Sequence, residues 1–291
     1  MNLYLNKSRS TVVVLLLLVL PCVSVAATTA PIQRALFVGN SFSYYNNGIQ
    51  NHVSNLVRST QQWEKGTTRY RMATVSVSGG NLSEHVAGVF GLLDNQGYDA
   101  LVIQGLSNGP IKNKKTHQRF SDNAAALIKL AREHGAQPIL FMTWPYANTP
   151  KMTEPLLAAY AKVAQAHQVM LVPVGLAFAT INTQYPNIDL YVPDISAFKI
   201  ESHIKENDNN ASTIDAAQIL YKKDIKHPSI AGTYLAACMF YAAFYQQSPV
   251  GLAYTAGLSQ EYAAILQHVA WDTLVSYSQN NKNMKTKKAQ S

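Results

Sequence analysis

The most constraining feature of this chain is an alternation of short apolar runs with longer helical patterns. ALFVGNS (35–41) is an apolar run that ends in small polar residues, as a buried parallel strand does. NGIQNHVSNLVRST follows with helical spacing at Ile49, Val53, Leu56 and Val57. RYRMATVSVSGG (69–80) and ALVIQG (100–105) read as the second and third strands. Phe120, Ala124, Leu127 and Ala131 mark an amphipathic helix that stops near Gly135. QPILFMTW (137–144) is the fourth strand, EPLLAAYAKVAQAHQ (154–168) a helix and VMLVPVG (169–175) the fifth strand. SIAGTYLAACMFYAAFYQ (229–246) is apolar nearly all round, hence a buried helix. Repeated strand–helix units predict an α/β fold, a mostly parallel sheet with helices on both faces. Residues 185–210 break the rhythm, as an insertion near the active-site rim or an ordinary long loop.

A length of 291 residues, with 47% apolar and 14% charged residues, fits one large globular domain and excludes extensive disorder. The net charge of +8 is concentrated at the ends. Two of the 24 basic residues precede Ala27 and four follow Gln279, leaving 18 in the body against all 16 acids. A nucleic-acid surface needs clustered Lys and Arg, and none stands out in that near-neutral body. Residues 280–291 are expected to be a flexible basic tail. Residues 1–26 have a basic start, an apolar run from Val12 to Leu20 and a Ser24-Val25-Ala26 cleavage pattern, the layout of a secretory signal peptide. The apolar run is short of the ~20 residues that span a bilayer. Pro21 is a poor neighbour for lipidation of Cys22. The expected mature chain is periplasmic or secreted, has no integral membrane segment, and keeps one cysteine, Cys238, as a small core residue.

In an open parallel sheet, ligands bind beyond the carboxyl ends of the strands. There lie Gly39-Asn40-Ser41-Phe42-Ser43, Ser78-Gly79-Gly80-Asn81 and Leu106-Ser107-Asn108; Asp224-Ile225-Lys226-His227 comes near the C-terminus. Each group has a plain structural explanation: Ser41 as a helix cap, Gly79 and Gly80 as turn formers, Asn108 before Gly109-Pro110 as another turn, Asp224 as a turn cap. Taken together they fit nucleophilic acyl chemistry better. A serine hydroxyl needs a general base, the imidazole needs a carboxylate to fix its tautomer, and the oxyanion needs preorganised donors. His52, His117 and His203 lack metal-ligand spacing, and His85 suits a hydrogen bond within its helix. Trp144, before Pro145-Tyr146, is a candidate wall for a substrate pocket, with core packing as the alternative.

The four blocks resemble those of the SGNH (GDSL-like) hydrolases, over roughly residues 34–247. Gly39-Asn40-Ser41-Phe42-Ser43 is similar to the nucleophile block, Ser78-Gly79-Gly80-Asn81-Leu82 to the second block and Asp224-Ile225-Lys226-His227 to the closing D-x-x-H block. Val102 to Asn108 lies where the third block belongs, and HPSIAGTYLAA resembles a bacterial branch of the family. The resemblance implies a three-layer α/β/α sandwich of flavodoxin-like type and a serine esterase mechanism without metal or cofactor. In that mechanism Ser41 is the nucleophile, His227 the base and Asp224 its orienting partner. The oxyanion hole would be the Ser41 N–H, the Gly79 N–H and the Asn108 amide, with Gly80 as the alternative glycine. Leu106 stands where the family has Gly, so Gln104 or Gly105 is a further candidate donor.

The expected function is an exported esterase acting on a short-chain ester, such as O-acetyl groups of a glycan. The alternatives are an O-acetyltransferase on cell-envelope polysaccharide and a non-catalytic glycan-binding protein of the same fold.

Overall fold

The computed structural model describes residues 31–60, 70–191 and 224–289. The expected signal peptide, His203 and residues 192–210 of the expected insertion lie outside the described residues. Those described form one compact unit. Five strands, β1 (Arg34–Gly39), β2 (Arg71–Ser76), β3 (Ala100–Gln104), β4 (Gln137–Phe141) and β5 (Met170–Val172), form one sheet in the order β2-β1-β3-β4-β5. Every pairing is parallel.

The inner strands read as continuous apolar runs because both faces are covered. Ala35 and Phe37 of β1 face one core, while Leu36 and Val38 face the other. Ala100 and Val102 against Leu101 and Ile103 repeat this division on β3. The first core is completed by α2 (Ile49–Arg58), α7 (Val174–Gln184), α8 (Ile230–Tyr245) and part of α9 (Gln260–Ala289). The second is completed by α3 (Val86–Gln96), α5 (Lys114–Glu133) and α6 (Thr153–His167). This is the expected three-layer α/β/α sandwich. The short helices α1 (Ser41–Tyr44) and α4 (Gly109–Lys112) follow β1 and β3 directly.

α8 lies where the apolar stretch 229–246 predicts it. Every residue from Ala231 to Phe244 is buried, Ser229 caps its start, and Gln246 ends it in the left-handed conformation. Among the described residues no helix is long and apolar enough to cross a membrane.

Three expectations need correction. The fifth strand stops at Val172 instead of running to Gly175, because Pro173 has no N–H for the ladder and the chain turns into α7. The first strand ends at Gly39, where Asn40 caps α1, so Ser41 begins a helix. The residues expected to be a flexible tail from 280 are helical as far as Ala289, the end of α9.

Phe240 of α8 is fully buried and meets Phe37 and Phe141 edge-on, each at a 5.1 Å centroid distance. Phe240→Ala should lower the unfolding free energy by about 3–5 kcal/mol in a urea titration. A loss under about 1 kcal/mol would mean the site collapses around the cavity.

Candidate active site

Ser41 opens α1 two residues beyond the end of β1. Asn40 is extended there, and its Oδ1 accepts from the Phe42 N–H at 3.2 Å. The turn is fixed from the neighbouring strand by Gln104, the last residue of β3. Its Oε1 accepts from the Asn40 N–H at 3.1 Å and from Ser43 Oγ at 2.7 Å. Its Nε2 donates to Asn40 Oδ1 at 3.0 Å and to the Gly105 carbonyl at 2.5 Å. A Cβ on Gly39 would lie 2.2 Å from Gln104 Oε1, so only glycine lets this amide reach the turn.

His227 and Asp224 sit on the segment leading into α8. His227 Nε2 is 2.8 Å from Ser41 Oγ, and its Nδ1 is 2.5 Å from Asp224 Oδ2. The other Asp224 oxygen accepts the backbone N–H groups of Lys226 (2.8 Å) and His227 (3.0 Å). With Nδ1–H donating to the carboxylate, Nε2 is left to accept the Ser41 proton. The structure thus brings together the three residues of the expected triad, 186 positions apart at the extremes. Burial pushes the Asp224 pKa up, but the His227 backbone and ring bonds and the Lys226 N–H outweigh it and hold it below its ordinary value.

Three ties hold this segment. Trp144 Nε1 donates to the Lys226 carbonyl at 2.9 Å, the Ala147 N–H to the Ile225 carbonyl at 3.0 Å, and Asn46 Nδ2 to the Pro228 carbonyl at 2.7 Å. Asn46 is held in turn by His52, whose Nε2–H donates to the Asn46 carbonyl at 2.7 Å while Nδ1 accepts from Tyr254 at 2.8 Å. Burial lowers the His52 pKa, which suits this neutral, structural role.

The candidate oxyanion donors separate. Val77 to Gly80 form a turn in which the Gly80 N–H is taken by the Val77 carbonyl at 2.9 Å, and Gly79 has φ +64°. The Gly80 donor is therefore committed, and none of the turn's bonds uses the Gly79 N–H. Asn108 is half-buried, and its side chain makes no capping bond to α4. Gln104 as an oxyanion donor is corrected: both its amide protons are engaged, so it is a positioning residue.

Trp144 as a substrate wall is also corrected. It is fully buried, stacked on Phe42 at 4.4 Å and on Phe178 at 4.3 Å, so neither face is open to a sugar ring. The aromatic residue beside the site is instead Tyr45, stacked on the His227 ring at 4.2 Å and 5°. Sequence reasoning missed it because nothing in its spacing distinguishes it from Tyr44. His85 is buried, and among the described residues neither ring nitrogen has a hydrogen-bond partner, contrary to the expected helix hydrogen bond. Cys238 is fully buried, and burial raises its thiol pKa, which suits a core residue and not a nucleophile.

No family model matches the chain, and no curated protein matches it. Solved structures do. A DUF4886-family protein from Bacteroides uniformis shares 15% identity, covering 83% of this chain and 94% of its own, with a TM-score of 0.56. A protein from Slackia heliotrinireducens, provisionally assigned as an SGNH hydrolase, shares 22% identity over 72% of this chain and 97% of its own, with a TM-score of 0.49. An acetyl xylan esterase shares 12% identity over 72% of this chain and 98% of its own, also at 0.49. At a TM-score of 0.56 the likeness to the Bacteroides uniformis protein is one of fold.

Two outcomes follow from this geometry. Gln104→Ala leaves the Asn40 N–H and the Ser43 hydroxyl without their buried acceptor and should lower the unfolding free energy by about 2–4 kcal/mol, measured with urea. Because its native pKa is depressed, Asp224 contributes stability that is present above the unfolded value near ~3.9 and is lost as pH falls through the lower native value. Carbon NMR of the carboxyl groups should find Asp224 ionised where a free Asp is already half protonated; an ordinary titration would contradict the hydrogen-bonded carboxylate.

Proposed function

We propose that the protein is a serine esterase acting on short-chain esters by an acyl-enzyme route. The observation that carries this reading is the continuous Asp224–His227–Ser41 hydrogen-bond chain at the carboxyl end of the sheet. Ser41 Oγ attacks the ester carbonyl as its proton passes to His227 Nε2. The Asp224 carboxylate stabilises the imidazolium and keeps its ring in place. Negative charge develops on the carbonyl oxygen, toward which the Ser41 and Gly79 N–H groups and the Asn108 amide would donate. Collapse breaks the ester C–O bond, and the alcohol leaves with the proton from His227. A water then gives its proton to His227 and attacks the acyl carbon, and a second collapse releases the acid and restores Ser41.

His227 is hemmed by the Tyr45 ring on one face and by the Phe42 edge. A ring packed in this way, with Nδ1 on Asp224, is held in one orientation with Nε2 toward Ser41. The acyl group is short, an acetyl above all, and export by residues 1–26 places the enzyme with acylated envelope or extracellular glycans. Both statements rest on the sequence.

Hydrolysis of p-nitrophenyl acetate, butyrate and octanoate tests the reading. Turnover should be fastest on acetate and should fall by roughly 10³-fold or more in Ser41→Ala. Equal rates in both proteins, or no turnover in either, would overturn it.

A further inference from the structure

Beside Asn108 lies a cleft of about 190 Å³, whose lining includes Asn81, Leu82, Lys112, Arg119, Phe120 and Asn123. Asn81 follows β2 and Asn108 follows β3, the two strands that flank β1, so the cleft opens at the sheet end that carries Ser41. Its volume is below the ~300–1,000 Å³ of a site that holds a whole small ligand. It therefore suits one substituent or one ring of a larger substrate.

The chemistry of its walls is specific. Leu82 and Phe120 are buried and form an apolar floor. Lys112 and Arg119 stand on the rim with their side chains exposed. Neither makes a salt bridge or a side-chain hydrogen bond among the described residues. Lys114 and Lys115 lie in the next turn, so residues 112–119 hold four cations and no acid. This corrects the expectation that no basic cluster stands out in the body: the near-neutral total conceals a local one. Two acids, Asp122 and Glu84, lie close in sequence to the lining residues. Asp122 accepts from Gln118 Nε2 at 2.8 Å, and Glu84 accepts from the Asn81 N–H at 2.9 Å.

We propose that this cleft takes the anionic part of the substrate, a carboxylate or phosphate on the molecule whose ester carbonyl lies at Ser41. Two cations without partners would bind such a group by charge-assisted hydrogen bonds, with the Asn123 amide as a further donor. The apolar floor would cover the hydrocarbon face of the ring that bears it. The proposal rests on the esterase reading above and names its substrate class: an acylated anionic glycan or polyol chain, not a neutral one.

The test measures acetate release by the purified protein from three probes. These are acetylated oligogalacturonate, the same oligomer with its carboxyl groups methyl-esterified, and an acetylated glycerol phosphate oligomer. The charged probes should give the higher kcat/KM, chiefly through a lower KM. Whichever charged probe is the better substrate identifies the anion as carboxylate or phosphate. In the double variant Lys112→Gln/Arg119→Gln, the preference for charged over neutral oligomer should fall roughly tenfold. Raising salt from about 0.05 to about 0.5 M should erode the preference of the unaltered protein far more than that of the variant. Circular dichroism should show the variant folded, since both side chains are exposed. Equal kcat/KM for the charged and methyl-esterified oligomers, or an undiminished preference in the folded double variant, would overturn the anion site. If p-nitrophenyl acetate is still cleaved in a Ser41-dependent way, the esterase reading survives that result. Loss of all Ser41-dependent cleavage would instead defeat the esterase reading itself.

Discussion

One buried amide, that of Gln104, joins the two central strands at the point where the chemistry begins. It takes two protons from the turn after β1 and returns one to Asn40 Oδ1, so the backbone around Ser41 has few other conformations open to it. The bond set is possible only because position 39 has no Cβ and because β1 and β3 pair in parallel register, Val38 opposite Ile103. A buried network of this kind is worth having only when every member is satisfied. Here all the polar capacity of the amide is used, and Ser41, on a short four-residue helix, is tied to the sheet.

The other half of the array has a different origin. His227 and Asp224 lie on a short irregular segment, and that segment is fixed by side chains from distant parts of the chain. Trp144 comes from the stretch after β4 and Asn46 from the loop after α1. The aromatic stack of Phe42, Trp144 and Phe178 binds the nucleophile turn, the fourth strand and α7 into one layer. The Ser41–His227 contact therefore depends on the closed core and cannot exist in any fragment of the sheet. Polar residues do the orienting, while apolar stacking sets the distances.

Most strands and the larger helices are legible in the sequence, because a strand covered on both faces has to be continuously apolar and a helix on a sheet has to be striped. α3 was not, since only Val89 and Leu93 of its 11 residues are buried and its pattern is correspondingly thin. α9 was not, because its polar end carries lysines that read as a solvated tail. Ser41, Asp224 and His227, which the structure brings together, were legible as a set through their residue types and order, with Ser41 at a strand end. Gln104 and Trp144 were misassigned for one shared reason. Residue type states what a side chain can do, but its direction at the end of a parallel strand depends on the neighbouring strand. Gln104 turns toward β1 and is consumed there, and Trp144 turns into the core.

This division of labour bears on how the fold acquires specificity. The nucleophile turn and the His227 segment are locked by buried bonds, so changing them disturbs the array itself. The region after β2 and β3 is different: Gly79 is exposed, Asn108 is half-buried, and Lys112 and Arg119 are exposed at the rim. Substitutions at Lys112 and Arg119 exchange one solvated side chain for another and cost little stability, unlike those at Gly79, whose φ of +64° favours glycine. On the proposed esterase reading, a scaffold built this way lets the charge at the rim vary while the Ser41–His227 contact stays fixed. On the anion-site proposal, the cations of residues 112–119 are where the substrate class would be selected, and overall composition is silent on that cluster.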